Sequence, residues 1–235
     1  MSRFAYAPEL IERFPTVHGG VIHGVDLANG PSPPALLDEY MRTQREALDE
    51  IGETPLSEIA SIAAWRRTFS GFGVKPTQYR NAAEALMRRL TKAGDIPTIN
   101  ALVDLGNLVA VRHRMPVAVF DQRNVTGGTT VRFADGTERF SDLGSSEATA
   151  PEPGEVVFAD DTGLVSARRW CWRQSKQSAA GPETSEVLIT VEGHHETAPD
   201  DIDAALADLL DLLGRHQAAA SLSSAHLSLE QPSFP

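Results

Sequence analysis

The chain has 235 residues, of which 41% are hydrophobic, 23% charged and 6% aromatic, enough for one sizeable domain with a mainly aliphatic core. No apolar run approaches the ~20 residues of a membrane-spanning helix. Met1 to Pro15 lacks a basic start followed by an apolar stretch, and a single cysteine, Cys171, excludes an internal disulfide or a cysteine-based zinc site. A cytoplasmic protein with no membrane partner is expected. The formal net charge of −11 is uneven: residues 1–60 sum to −6, residues 61–132 to +7 and residues 133–235 to −12. The central basic island contains most of the cations, and over the whole chain these are 18 arginines and 3 lysines. Arginine's planar fork suits phosphates and stacked bases, although a GC-rich genome produces the same bias.

In chain order, Phe14–Val17 and Gly20–Val25 read as strands, and Asn29 to Pro34 as a loop. Pro34 to Ile51 reads as a helix with Leu36, Leu37, Tyr40, Met41 and Leu48 on its apolar stripe. A second helical stretch follows Pro55 and breaks at Phe69 to Pro76. A third, Ala82 to Lys92, has Asn81 as N-cap and Gly94 beyond its end. Ile99 to Val111 suits a buried helix. From Val117 the pattern turns to β: a strand at Val117–Phe120, a hairpin joining Val131–Phe133 to Glu138–Phe140 across Asp135-Gly136, and a second joining Glu155–Phe158 to Leu164–Ser166. Residues 144–154 and 175–183 read as polar loops. Val187–Val191 is a buried strand, Pro199 to Arg215 an acidic amphipathic helix, and residues 216–235 an Ala/Ser-rich mobile tail. The class is α+β, helices early and hairpins late, in a single domain over residues 1–215.

Several chemistries are missing. There is no glycine-flanked serine elbow and no phosphate loop of the Gly-Lys-Ser type. His18/His23 and His194/His195 have no acidic partner at ligand spacing, so neither a metal nor a cofactor is expected. Cys171, between two tryptophans, reads as a small buried thiol. Glu84 and Asp104 are acid–base candidates, although Glu84 also suits a helix start.

Three stretches carry more. They are Trp65 to Pro76 with Tyr79-Arg80 and Glu84 to Arg89; Ile96 to Leu108 with Met115 to Asp121; and Arg168 to Gln174. Together they resemble the B3/B4 tRNA-editing domain of the phenylalanyl-tRNA synthetase β-subunit, over about residues 14–193. The resemblance implies a three-layer α/β body around a pocket for an acylated tRNA 3′ end. Where the family has Val-Asp-x-Thr-Asn, this chain has Val103-Asp104-Leu105-Gly106-Asn107. Where the family has Pro-Leu-His-Ala-Phe-Asp, it has Pro116-Val117-Ala118-Val119-Phe120-Asp121. Asn107 is retained, while the threonine is Gly106 and the editing histidine is Ala118. The family's editing glutamate corresponds only loosely to residues 169–184 and is assigned to no residue.

The implied catalytic set is Asn107 and Asp104 with Arg173 and Gln174, Asn107 lying at the pocket floor close to Asp104 and Arg173. Gly106, Ala118, Phe120 and Arg169 are expected to bind substrate, Gly106 and Ala118 widening the pocket for a larger amino acid. Lys75, Arg80, Arg88 and Arg89 are expected to contact tRNA, with at most one of the adjacent pair Arg88/Arg89 facing the core. Arg168 and Arg169 can equally pair with the acidic flanks, and Trp170 and Trp172 can simply fill core. Three functions fit: a trans-editing deacylase of mischarged aminoacyl-tRNA, a binding module that holds aminoacyl-tRNA or an amino acid without hydrolysis, or a small-molecule protein reusing the pocket. A homo-oligomer is left open.

Overall fold

The computed structural model describes residues 2–145 and 147–235. In chain order the elements are β1 (Phe4–Tyr6), α1 (Pro8–Arg13), β2 (His18–Val25), α2 (Pro34–Ile51), α3 (Ala60–Gly71), α4 (Ala82–Ala93), α5 (Ala101–His113), β3 (Val117–Asp121), β4 (Thr129–Phe133), β5 (Phe140–Ser141), β6 (Ala148–Thr149), β7 (Val156–Asp160), β8 (Val165–Arg168), β9 (Arg173–Gln174), β10 (Val187–Gly193), α6 (Ala198–His216), β11 (Ser221–Leu227) and β12 (Ser233–Phe234). The class is α+β. A four-stranded sheet, β11-β2-β10-β3, is antiparallel throughout. A six-stranded sheet has the order β12-β1-β4-β7-β8-β9.

Period-two alternation in the smaller sheet builds the layers. Ile22, Val119, Val187, Ile189 and Val191 join one apolar core with Leu105, Leu108 and Val109 of α5 and Leu206 and Leu209 of α6. Val21, Phe120 and Leu188 join a second core with Phe4, Val131 and Phe158 of the larger sheet. Helices, small sheet and large sheet are thus stacked in three layers, and α2 packs against the far side of α5.

Local signals place both ends of α4 as the sequence predicts. The Asn81 side chain accepts from the Glu84 N–H at 2.9 Å, and Gly94 adopts the left-handed conformation that closes α4. Asn100 caps α5 by accepting from the Val103 N–H. The β7–β8 hairpin forms as expected, with a register shift at Phe158/Ala159.

Three expectations are overturned. Phe14–Val17, read as a strand, is the turn that follows α1. Asp135-Gly136 turns the chain without forming a hairpin. The buried Glu138 carboxylate accepts from the Asp135 and Gly136 N–H groups and pairs with Arg132. β4 is instead flanked by β1 and β7, while Phe140 pairs with Thr149. Nor are residues 216–235 a mobile tail. β11 extends the small sheet along Gly19 to Val25 of β2, β12 pairs with β1, and Leu227 and Phe234 are buried. The small residues of this stretch suit an exposed edge strand, whose outer face has no core to fill.

Candidate active site

A half-open cavity of about 70 Å³ lies between the two sheets. The same alternation that builds the layers lines it. Ala118 and Phe120 of β3 and Thr190 and Glu192 of β10 reach it from the small sheet, and Phe158 and Ala167 from β7 and β8. Ala82, Pro116 and Val117 add to the lining, and a further wall is the turn between β8 and β9, where consecutive residues Arg169 and Trp170 have φ of 45° and 59°. Non-glycine residues rarely adopt this conformation. Glu155 holds the turn: its carboxylate accepts from the Arg168 guanidinium twice at 2.8 Å and from the Arg169 N–H at 3.0 Å. The reversal buries Trp170 and sets Trp172 at the cavity edge.

Glu192 is 2% exposed. Its Oε1 accepts from the Tyr6 hydroxyl at 2.8 Å and from the Trp170 indole N–H at 3.0 Å. Burial pushes the carboxyl up to about 7, against the pull of these two donors. Tyr6 reaches it across Gly19 of β2, where a Cβ would lie 2.1 Å from the tyrosine oxygen; any other residue would close this approach. Burial, reinforced by the Glu192 charge, raises both the Tyr6 phenol and the Cys171 thiol well above their usual ranges. Behind the cavity, His194 is boxed by Trp65, Trp170 and Phe14 at ring centroid distances of 4.6, 5.0 and 6.4 Å, and burial lowers it to about 3.

Of the expected catalytic residues, the cavity gathers Arg173 and Gln174 and leaves out Asp104 and Asn107. Gln174 Nε2 donates to the Val119 and Ser178 carbonyls at 2.8 and 2.7 Å. Arg173 is half exposed, pairs with Asp142 and stacks on Trp172 at 4.7 Å. Asp104 is fully buried in α5, accepting from the Ser32 hydroxyl at 2.5 Å and the Ile99 N–H at 2.8 Å. It ties the 29–34 loop to the start of its own helix. Asn107 faces α2 beside Tyr40, whose phenol is raised by burial and the Asp104 charge against the Asn107 amide. Gly106 does not widen the cavity. It brings α5 onto β3, where a Cβ would stand 2.9 Å from a Val119 methyl. The expectation of a floor shared by Asp104, Asn107 and Arg173, and of a pocket enlarged at Gly106, is therefore corrected: the α5 motif faces the helical layer, on the opposite side of β3 from the cavity. Ala118 and Phe120 do line it.

Outside, Arg80, Arg88, Arg89, Lys92 and Arg173 line an open groove of about 410 Å³, which shares Trp172 and Arg173 with the cavity. Arg88 and Arg89 are both exposed. Arg80 leans on Glu84 at 3.6 Å, and Glu84 also pairs with Arg66 at 2.7 Å, which accounts for its burial. Lys75 sits in a neighbouring depression beyond Gln78 and Tyr79. Arg169 is not a cavity residue. Its guanidinium lies 4.0 Å from the Tyr79 ring centre and 4.6 Å from that of Trp172, bracing the wall from outside.

Sequence reasoning missed Glu192, Tyr6 and Thr190. The signal for Glu192 is an acidic residue closing the apolar strand Val187–Gly193 on the same face as Leu188 and Thr190. No group of three or more potential metal ligands occurs among the described residues.

A domain of helices, sheet and sheet, with a cavity between the sheets opening beside an arginine groove, is the class defined by fold and site. Residues 64–213 match the B3/4 domain model, and the chain belongs to that family. It is 36% identical over 158 residues to the phenylalanine–tRNA ligase beta subunit of Nocardia farcinica, covering 65% of this chain and 18% of that one. It is 40% identical over 83 residues to the beta subunit of Nitrobacter winogradskyi, covering 35% and 10%. The chain thus spans less than a fifth of the length of these relatives. An N-terminal fragment of the Pyrococcus horikoshii phenylalanyl-tRNA synthetase beta subunit superposes with a TM-score of 0.48 at 12% identity, covering 95% of this chain and 53% of that one.

Proposed function

We propose that the chain binds the acceptor end of an aminoacylated tRNA and hydrolyses the aminoacyl ester in the inter-sheet cavity, acting in trans as an editing factor. The observation that carries this reading is the continuity, through Trp172 and Arg173, between the inter-sheet cavity and a groove whose charged lining is entirely basic. Phosphates are met by Arg80, Arg88, Arg89 and Lys92, and Trp172 offers a ring for the terminal base. The acyl group then enters past Arg173. Kinship with tRNA ligase subunits supports the same ligand class.

In the reaction a water oxygen bonds to the ester carbonyl carbon, the bond to the ribose oxygen breaks, and that oxygen takes a proton as the amino acid leaves. Gln174, with Nε2 committed to two carbonyls, has its amide oxygen left to orient the water. Arg173 is placed to hold the carbonyl or the last phosphate. Asp104 and Asn107 take no part. The presence of Ala118, a methyl group at the family's histidine position, favours a second reading in which the ligand is held without cleavage.

A panel of mischarged tRNAs separates the two. The parent releases amino acid from at least one of them. Arg88→Ala/Arg89→Ala weakens tRNA binding and lowers the slope of log affinity against log salt by about 1–2, with the melting temperature nearly unchanged. Salt-dependent binding without release establishes the binding module; a flat salt response removes both readings.

A further inference from the structure

We propose that the cavity selects a small aminoacyl group with a free α-amino group, and that the Glu192 carboxylate is the group that reads the amine. The inference deepens the function proposed above and rests on it only for the ester end of the ligand.

The first observation is a missing partner. Four glutamates are buried among the described residues. Glu84 pairs with Arg66, Glu138 with Arg132 and Glu155 with Arg168. Glu192 pairs with no arginine, lysine or histidine among the described residues. An isolated buried carboxylate is costly, and its two donors, the Tyr6 hydroxyl and the Trp170 indole, both serve Oε1. Oε2 is the open acceptor of a residue that lines the cavity. A ligand ammonium supplies the cation that arginine supplies to the other three.

The second observation is size. About 70 Å³ holds roughly five water-sized groups. That accommodates an amine nitrogen, Cα, one side-chain atom and a carbonyl. So small an inner space favours a short side chain over an aromatic ring, and an α-amine beside Glu192 over an amine on the four-carbon stem of lysine. Polarity agrees in direction: the anion lies at the buried end, and Arg173, shared with the groove, at the mouth.

The Trp170 indole N–H, 3.0 Å from Glu192, is a direct reporter. Alaninamide, N-acetylalaninamide and phenylalaninamide are titrated into the ¹⁵N-labelled chain while its three indole signals are followed, with Trp172→Phe removing one for assignment. Alaninamide should shift the Trp170 signal saturably, and the acetylated and the larger ligand should bind at least about tenfold more weakly. Glu192→Gln, which keeps an acceptor for Tyr6 and Trp170 but loses the charge, should lower alaninamide affinity by a similar factor. Equal binding of alaninamide and its acetylated form, or no alaninamide shift, overturns the proposal on the parent protein alone, whether or not the variant folds. The tRNA panel is judged separately. Cleavage that is indifferent to α-amine acetylation sinks this inference and leaves the editing function standing. A selective alaninamide shift with no cleavage of any aminoacyl-tRNA does the reverse.

Discussion

The Val103–Asn107 segment of α5 and the β8–β9 turn both present polar residues in a pattern that suggests catalysis, and the fold uses them in opposite ways. On α5 the polar groups serve the scaffold: Asp104 accepts from Ser32 and Ile99, Asn107 faces Tyr40, and Gly106 exists for a close approach to Val119. Around the β8–β9 turn the backbone holds two strained residues, and the cavity it walls contains a carboxylate without a cation. Strain and unmet polar capacity cost stability, and they persist where a fold reserves them for a ligand. Retention of a family residue type, as with Asn107, is weaker evidence of a site than unsatisfied chemistry.

Three measurements can break or sharpen this contrast. The largest effect is expected on the scaffold, from truncation after Gln217. It strips β11 from β2 and β12 from β1 and removes the buried side chains of Leu227 and Phe234. At about 1.5–3 kcal/mol for each such side chain, before the lost ladders, the loss should exceed about 3 kcal/mol in chemical denaturation. A truncated chain of parental stability would return this segment to a dispensable tail. Next, Gly106→Leu drives a side chain into Val119 and should cost about 3 kcal/mol by overpacking. If stability is kept while ligand binding is lost, the α5 motif belongs to the site after all.

Third, Glu192→Gln should stabilise the protein at alkaline pH. The folded carboxyl titrates near 7 against an ordinary 4.5, so the folded state retains a proton that the unfolded chain has released. The parent therefore loses stability as pH rises from about 4.5 to 7, up to about 3 kcal/mol above that window. The variant escapes this loss, so its advantage should be present at pH 8 and absent at pH 4. His194, depressed to about 3, acts with the opposite sign. The unfolded chain takes up its proton first as pH falls below 6.5, so this group withdraws stability toward acid in parent and variant alike. A pH-independent difference between the two proteins would mean that Glu192 is not the proton-binding group.

The sequence was most legible where structure is local. Asn81 and Gly94 bound α4 through contacts within one turn, and the near-continuous apolar run of Val187–Val191 marks a strand buried on both faces. Pairing partners were not legible. Asp135-Gly136 has hairpin chemistry, but β4 finds β7 through register with a strand more than twenty residues later, and Ser221–Leu227 lacks the hydrophobicity of a strand because only one edge of it is needed. At the site, the resemblance led to Ala118, Phe120, Arg173 and Gln174, all in the cavity. It failed for Asp104 and Asn107 because helical periodicity gives a face without saying which layer that face meets. Alternation likewise places Glu192 opposite Val191, but only three-dimensional packing shows that its side of the sheet contains a void.

Tyr6 donates to Glu192 across 186 positions of chain, from a strand held between β12 and β4. Closing so long a loop is entropically costly and slow, so the donor arrives only when strands from both ends of the sequence have met. A half-folded molecule, with helices formed and β1 still unpaired, has Glu192 short of a donor and its cavity open on the Gly19 side. The hydrogen bonding of Glu192 is thereby coupled to completed topology.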